Sequence, residues 1–102
     1  MIAPNLPFWI CKCDWGHYVD FRVLIDQGNG HVRVSFYPDQ IIISDLYVSE
    51  KYRKRGYATA LLNYADFLVL EYGKGKKATI VPLTDWEREW YIRRGYEIIE
   101  EE

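Results

Sequence analysis

The stretch I-S-D-L-Y-V-S-E-K-Y-R-K-R-G-Y-A-T-A-L-L-N-Y, residues 43–64, decides the fold, because it leads from an apolar strand through a basic turn into an amphipathic helix. Arg53, Lys54 and Arg55 bring positive charges to the turn, directly before Gly56. The first N–H groups of a helix have no partner within the helix and carry partial positive charge, so anions bind there readily. Glycine lets an anion approach the backbone closely, and arginine can grip phosphate through two hydrogen bonds. The stretch therefore predicts a phosphate-binding turn.

Two helices are predicted from the spacing of apolar residues and from their end signals. The first covers residues 57–72 and ends at Gly73. Its apolar stripe consists of Ala58, Leu61, Leu62, Ala65, Leu68, Val69 and Tyr72. Further on, the segment T-D-W-E fits a capping box. It predicts a second helix that begins at Thr84 or Asp85 and ends near Arg94.

Runs of β-branched and aromatic residues predict the strands, at residues 6–13, 18–26, 31–37, 41–48, 78–83 and 96–100. The segment D-W-G-H at 14–17 predicts a turn, and Q-G-N-G at 27–30 predicts a tight hairpin, because its residues accept positive φ angles. The run I-I-I at 41–43 indicates a strand buried on both faces. The resulting order, β-β-β-β-α-β-α-β, describes one α+β domain over residues 1–102.

Composition narrows the class of protein. With 102 residues, 49% hydrophobic and 17% aromatic, the chain can form one compact globular domain. A net charge of -2 argues against nucleic acid as a partner. No apolar run approaches the roughly 18 residues that span a membrane, and no secretory signal is present, so we expect a cytoplasmic protein. Cys11 and Cys13 should then be free thiols; with His17 they could form part of a metal site, but a fourth ligand is not evident.

Two motifs resemble the GCN5-related N-acetyltransferase (GNAT) family. The segment R-K-R-G-Y-A at 53–58 resembles the family's Arg/Gln-x-x-Gly-x-Gly/Ala pyrophosphate loop. The segment W-Y-I-R-R-G-Y at 90–96 resembles its Leu-Tyr-x-Lys-x-Gly-Phe segment, with Tyr91 at the tyrosine and Gly95 at the glycine. The chain is identified as a minimal member of the family, because the turn at 14–17 stands where the usual N-terminal helices would be.

The resemblance implies a mixed, mainly antiparallel sheet with two helices packed on it, and no metal. It also implies that acetyl-CoA is the co-substrate and that acetyl passes to a primary amine by direct attack. The strand before the loop would bind the pantetheine arm through its backbone, and the turn would bind the pyrophosphate. The residues that the resemblance assigns to acetyl-CoA binding are Leu46, Tyr47, Val48, Arg53, Lys54, Arg55, Gly56, Tyr57, Ala58, Thr59 and Thr84.

Two residues are candidates for catalysis. The resemblance makes Tyr91 the general acid that protonates the departing sulfur, whereas helix periodicity alone predicts a packed aromatic residue. The glutamate that some members carry on the fourth strand is replaced here by apolar residues or Ser44. Asp45 is then expected to bind the acceptor ammonium or relay its proton through water. The alternative for Asp45 is a satisfied carboxylate at a strand edge.

The acceptor and the assembly stay open at this point. Because the usual helices over the acceptor side are missing, that side would be exposed. In a monomer this favours a protein lysine or N-terminus as the acceptor. The alternative is a homodimer in which each subunit covers the acceptor side of the other. A non-catalytic acyl-CoA-binding module is the first alternative function. The second is an interaction protein whose basic loop holds another phosphate ligand or an acidic partner.

Overall fold

A computed structural model describes residues 8–25, 28–80, 82 and 84–100. Its strands are β1 (Phe8–Asp14), β2 (Val19–Ile25), β3 (Gly30–Phe36), β4 (Gln40–Val48), β5 (Lys76–Ile80) and β6 (Glu97–Ile99). Its helices are α1 (Tyr57–Tyr72) and α2 (Asp85–Arg93), with a short 3-10 turn at Glu50–Tyr52. The predicted order of strands and helices is confirmed, including both helix positions.

The strands form one six-stranded sheet in sequence order, β1 to β6. From β1 to β4 each neighbouring pair is antiparallel, whereas β4–β5 and β5–β6 are parallel. Parallel neighbours need a crossover connection, and α1 and α2 provide the two crossovers. The predicted mixed, mainly antiparallel sheet is confirmed.

Several predicted boundaries differ from the structure. The fifth strand begins at Lys76 rather than at residue 78, because Lys76 pairs with Gln40 through the backbone and needs no apolar side chain to do so. Other parts of the predictions lie outside the described residues: the start of the first strand at 6–7, residues 26 and 27 beside the hairpin, and residues 81 and 83 of the fifth strand.

The core lies between α1 and one face of the sheet. Alternating residues of β2, β3 and β4 supply the sheet side, and the apolar stripe of α1 supplies the other: Val23, Ile25, Val32, Val34, Ile41, Ile43, Leu61, Leu62, Ala65, Leu68 and Val69. Tyr72 does not belong to this core; it is 61% exposed and stacks on Phe21 at the end of α1, with ring centroids 5.7 Å apart.

The opposite face of the sheet is only partly covered. Ile41 and Ile43 are buried under α1, but Ile42 points to the other face and is half-buried, so the prediction that both faces of this strand are buried was wrong. The reason is that the chain passes from β1 to β2 through a turn and places no helix there. The predicted turn at 14–17 is thereby confirmed, and it leaves Trp15 58% exposed.

A buried carboxylate holds this turn against the sheet. Asp20 accepts hydrogen bonds from the hydroxyl of Ser35 at 2.6 Å and from the indole Nε1 of Trp15 at 3.2 Å. The two donors satisfy a group that would otherwise be costly to bury. Asp20 therefore joins β2, β3 and the turn on the face away from α1.

The two cysteines lie on β1 and are exposed free thiols. Within the described ranges, no three His, Cys, Asp or Glu side chains are grouped closely enough to hold a metal ion. In the same ranges, no helix has both the length and the apolar character needed to cross a membrane.

Candidate active site

The site begins where β4 and β5 separate. Their pairing runs from Gln40 opposite Lys76 to Ile43 opposite Thr79, and the described residues contain no further β4–β5 pair. β4 continues to Val48, while Ile80 at the end of β5 pairs with β6. The last part of β4 therefore turns a backbone edge toward an open wedge between the two strands.

A bulge in β4 accompanies the separation. Ser44 pairs with Arg33, but Tyr47 pairs with His31, so Asp45 and Leu46 lie opposite a single residue of β3. Asp45 has a φ of 57°, in the left-handed region that Asp tolerates better than most residues. Such a bulge bends a strand and redirects its side chains, and here it separates the two cavities of the site.

The first cavity, which we call the turn cavity, has a volume of about 540 Å³. It lies between the end of β4, the turn before α1 and the start of α2. All residues predicted to bind the cofactor, except Arg55, line it: Leu46, Tyr47, Val48, Arg53, Lys54, Gly56, Tyr57, Ala58, Thr59 and Thr84. Arg55 is exposed and lies outside this lining.

Backbone amides at the start of α1 reach this cavity. The first hydrogen bond of α1 runs from the amide of Ala60 to the carbonyl of Gly56 at 3.0 Å, and no side chain of the described residues caps the helix. The amides of Tyr57, Ala58 and Thr59 therefore lack acceptors within the helix. Gly56 has a φ of 82°, which glycine adopts without strain. The arrangement suits an anion.

Arg53 serves two purposes in this turn. Its Nε donates a hydrogen bond to the carbonyl of Val48 at 2.9 Å, which ties the turn to the end of β4. A guanidinium has five N–H donors, so this bond leaves others to face a ligand in the turn cavity. Lys54, with a φ of 62°, adds a second cation to the same lining.

The second cavity, which we call the sheet cavity, also has a volume of about 540 Å³ and lies on the sheet face away from α1. Side chains from β3, β4, β5 and α2 line it: Arg33, Ser35, Tyr37, Ile42, Ser44, Asp45, Leu46, Thr79, Ile80, Pro82, Glu87 and Tyr91. Leu46 and Glu87 line both cavities. The two cavities therefore share these two residues in their linings.

Tyr91 lies at the inner end of the sheet cavity and is 3% exposed. Its ring packs edge-on against Trp90 and Tyr96, with centroids 5.2 Å and 5.4 Å away. Burial raises the pKa of Tyr91 to about 12, and a hydrogen bond with Thr79 offsets part of that rise. Tyr91 is thus a packed aromatic residue whose ring also lines a cavity, and its hydroxyl stays protonated at neutral pH.

Asp45 lies on the rim of the sheet cavity, where it has a partner. Its carboxylate is 3.3 Å from the guanidinium of Arg33, and its side chain is 57% exposed. Ion pairs this exposed contribute little to stability. Asp45 is therefore both a satisfied carboxylate and a charged group at the entrance of the cavity.

Sequence reasoning missed one residue at the centre of the site. The sequence pattern predicts Glu87 only as part of the capping box. Its backbone amide does donate a hydrogen bond to the hydroxyl oxygen of Thr84 at 3.4 Å. Its spacing to Tyr91 was the available signal, because residues four apart share one face of a helix. Tyr52 and Trp86 of the turn cavity were missed as well.

Comparisons with known proteins give one result about the family. A family model described as an acetyltransferase (GNAT) domain matches residues 4–98 of the 102-residue chain. A search of curated proteins gave no match.

Proposed function

The chain belongs to the GNAT acetyltransferase family, and on that premise we propose that it transfers acetyl from acetyl-CoA to a primary amine by direct attack. One observation carries the proposal: Leu46 and Glu87 each line both the turn cavity and the sheet cavity, which lie beside the point where β4 separates from β5. A reaction between two substrates needs each one held separately, with the reacting atoms in contact. The paired cavities offer that arrangement.

We assign the turn cavity to acetyl-CoA. The pyrophosphate would bind the amides at the start of α1, with Arg53 and Lys54 supplying positive charge. The amide-rich pantetheine arm would follow the backbone of Leu46 to Val48, where β4 has left β5. The thioester would then reach the junction with the sheet cavity, which contains the proposed acid, Tyr91.

In this mechanism the chain positions the reactants and moves protons. The amine must be neutral to attack the thioester carbonyl, and the departing thiolate must be protonated. Tyr91 is assigned the second task, because its hydroxyl stays protonated at neutral pH and its ring lines the acceptor side. Asp45 is assigned to the entrance, where its carboxylate attracts an ammonium ion.

A protein amine, such as a lysine side chain or an N-terminus, suits the open shape of the acceptor side. Phe8 contacts Tyr64 of α1, so the alternation of β1 places Trp9 on the opposite face, where it is 51% exposed. Trp15, in the turn at the other end of β1, is 58% exposed as well, which leaves room for a macromolecular surface. A small metabolite would find few groups there to orient it.

The experiment that tests the function has two stages. Calorimetry with acetyl-CoA and with ATP identifies the ligand of the turn cavity, and we expect binding of acetyl-CoA only. The protein is then incubated with isotopically labelled acetyl-CoA and a cell lysate, and mass spectrometry locates the label.

Labelled protein amines are the expected product. Binding of acetyl-CoA without any labelled product would instead indicate an acyl-CoA-binding module, and equal binding of ATP would indicate a general phosphate-ligand module. The solution mass adds a further check. A stable dimer that acetylates a small amine efficiently would contradict the assignment of a protein acceptor.

A further inference from the structure

We infer that Glu87 is the base of the proposed reaction and that its carboxylate binds the acceptor as a primary ammonium ion on an extended, apolar stem. The inference rests on the proposed function and names the acceptor class: a lysine-like side chain rather than an amine next to a negative charge. It also assigns the base to α2, whereas the sequence directed attention to β4.

Position is the first argument. Glu87 lines both cavities, and across from it Leu46 of β4 does the same. The acyl carbon of a donor in the turn cavity and the nitrogen of an acceptor in the sheet cavity must meet between these two residues. Only Glu87 of this pair can accept a proton. Glu87 is also half-buried, so its charge is screened less than that of a fully exposed residue.

The relation between Glu87 and Tyr91 is the second argument. The two residues lie one turn apart on the same face of α2, and both line the sheet cavity. Burial is the main cause of the raised pKa of Tyr91, and the negative charge of Glu87 adds to it. A base and an acid on one rigid helix can serve two steps of one reaction.

Charge in the sheet cavity is the third argument. Its charged residues are Arg33, Asp45 and Glu87, and the turn cavity adds Arg53 and Lys54. The formal charges of the described residues that line the sheet cavity, one arginine and two acidic residues, sum to -1. A cavity with one excess negative charge favours a cation.

The apolar lining of the sheet cavity determines what can carry that cation. The hydrophobic part of the lining, between the polar groups, comes from Ile42, Leu46, Ile80 and Pro82. Methylene groups of a lysine stem pack well on such a wall while the ammonium reaches a carboxylate. A second anionic group on the acceptor would be repelled by Glu87.

Each proton that moves in the proposed reaction has a donor and an acceptor. The ammonium gives one proton to the Glu87 carboxylate, and the neutral nitrogen forms a bond to the thioester carbon. The adduct loses a second N–H proton to solvent as the carbon–sulfur bond breaks. Tyr91 gives its proton to the departing sulfur, and the resulting phenolate recovers a proton from the Glu87 carboxyl. The products are the acetylated amine, the CoA thiol and one released proton.

The test uses a lysine capped at both ends, Nα-acetyl-lysine methylamide, and the matching norleucine compound, which lacks the ammonium. NMR titration of the CoA-saturated protein measures the binding of each. We expect wild type to prefer the lysine probe, and Glu87→Gln to bind it at least tenfold more weakly. Glu89→Gln is the control, because it removes the same charge from the exposed face of α2, where Glu89 pairs with Arg93.

Turnover of the same probe with acetyl-CoA gives the second readout. Glu87→Gln should lower kcat by about 10²-fold or more, while the affinity for acetyl-CoA stays unchanged. Glu87→Asp, which keeps the charge, should recover part of the binding. A thermal unfolding scan checks that each variant is folded.

Equal binding of the two probes by wild type, or equal binding of the lysine probe by wild type and Glu87→Gln, would overturn the inference. Failure of the proposed function would look different: acetyl-CoA would fail to bind wild type in calorimetry, or it would bind and wild type would acetylate neither the lysine probe nor any amine of the lysate.

Discussion

The hydroxyl of Thr79 donates a hydrogen bond to the carbonyl oxygen of Ile43 at 2.9 Å, at the last β4–β5 pair among the described residues. Beyond this pair the two strands separate and the two cavities begin. Thr79 is 2% exposed, and it also forms a hydrogen bond with Tyr91. One buried hydroxyl therefore contacts both the point of separation and the proposed acid.

Thr79→Val should lower the free energy of unfolding by about 1–3 kcal/mol, because valine has nearly the same shape but leaves the buried carbonyl of Ile43 without this donor. It should also raise the pKa of Tyr91 further, since the bond with Thr79 lowers it. Urea denaturation measures the first effect. Thr79→Ser, which keeps the hydroxyl, should lose less stability; an equal loss in both variants would show that the methyl group matters instead.

Gly56→Val should weaken acetyl-CoA binding at least tenfold, about 1.4 kcal/mol, since a side chain at this turn would occupy the approach to the amides of α1. Backbone strain at the positive φ accompanies the change. The matched control is Gly16→Val, in the turn between β1 and β2, where φ is 89° and an added Cβ meets nothing within 4 Å. Calorimetry should show reduced affinity only for Gly56→Val, and unchanged affinity in a folded Gly56→Val protein would contradict the assignment of the turn cavity.

Tyr91→Phe should lower kcat by roughly 10²-fold with little change in the affinity for acetyl-CoA, because it removes the acid and keeps the ring. Tyr96→Phe is the control: it removes a neighbouring hydroxyl, which donates to the carboxylate of Asp66 at 2.6 Å. That variant should lose stability but not kcat. Steady-state kinetics distinguishes the two, and near-normal turnover of Tyr91→Phe would leave Tyr91 as a packing residue.

Stability should fall at alkaline pH because of Tyr91. Below pH 10 the folded and unfolded chains both keep its proton; between pH 10 and about 12 the unfolded chain releases it while the folded chain retains it. The unfolded state therefore gains over this window, by an amount on the order of 2–3 kcal/mol at its upper end.

Tyr96, whose pKa is raised by burial and by its bond to Asp66, adds to this alkaline loss. Urea denaturation from pH 8 to 12 should show a smaller loss in Tyr91→Phe than in wild type. If the free energy of unfolding fell equally with pH in the two proteins, the result would contradict the burial of the Tyr91 hydroxyl.

Asp45→Asn should raise the KM for a lysine acceptor several-fold and leave kcat within about threefold of wild type, because we assign Asp45 to attraction at the entrance. Asparagine tolerates the left-handed backbone of this bulge, so the fold should be retained. The comparison with Glu87→Gln is decisive. A larger loss of kcat in Asp45→Asn than in Glu87→Gln would move the base to β4.

Much of the fold could be predicted because its signals are local. The alternation in β2 and β3 and the stripe of α1 each follow from the period of a strand or a helix. The predictions failed where pairing or coverage depends on distant residues. Lys76 joins β5 through its backbone, and Ile42 is half-buried because it lies on the sheet face opposite α1.

The sequence by itself determined the order of the strands and helices and the basic turn before α1, since charge, glycine and helix start are neighbours along the chain. Only the tertiary structure decided that Glu87 faces both cavities and that Asp45 pairs with Arg33. The first relation depends on where α2 lies relative to the end of β4, and the second depends on the register of β3 and β4 at the bulge. Packing of that kind is set by the whole core at once, so no local pattern of residues encodes it.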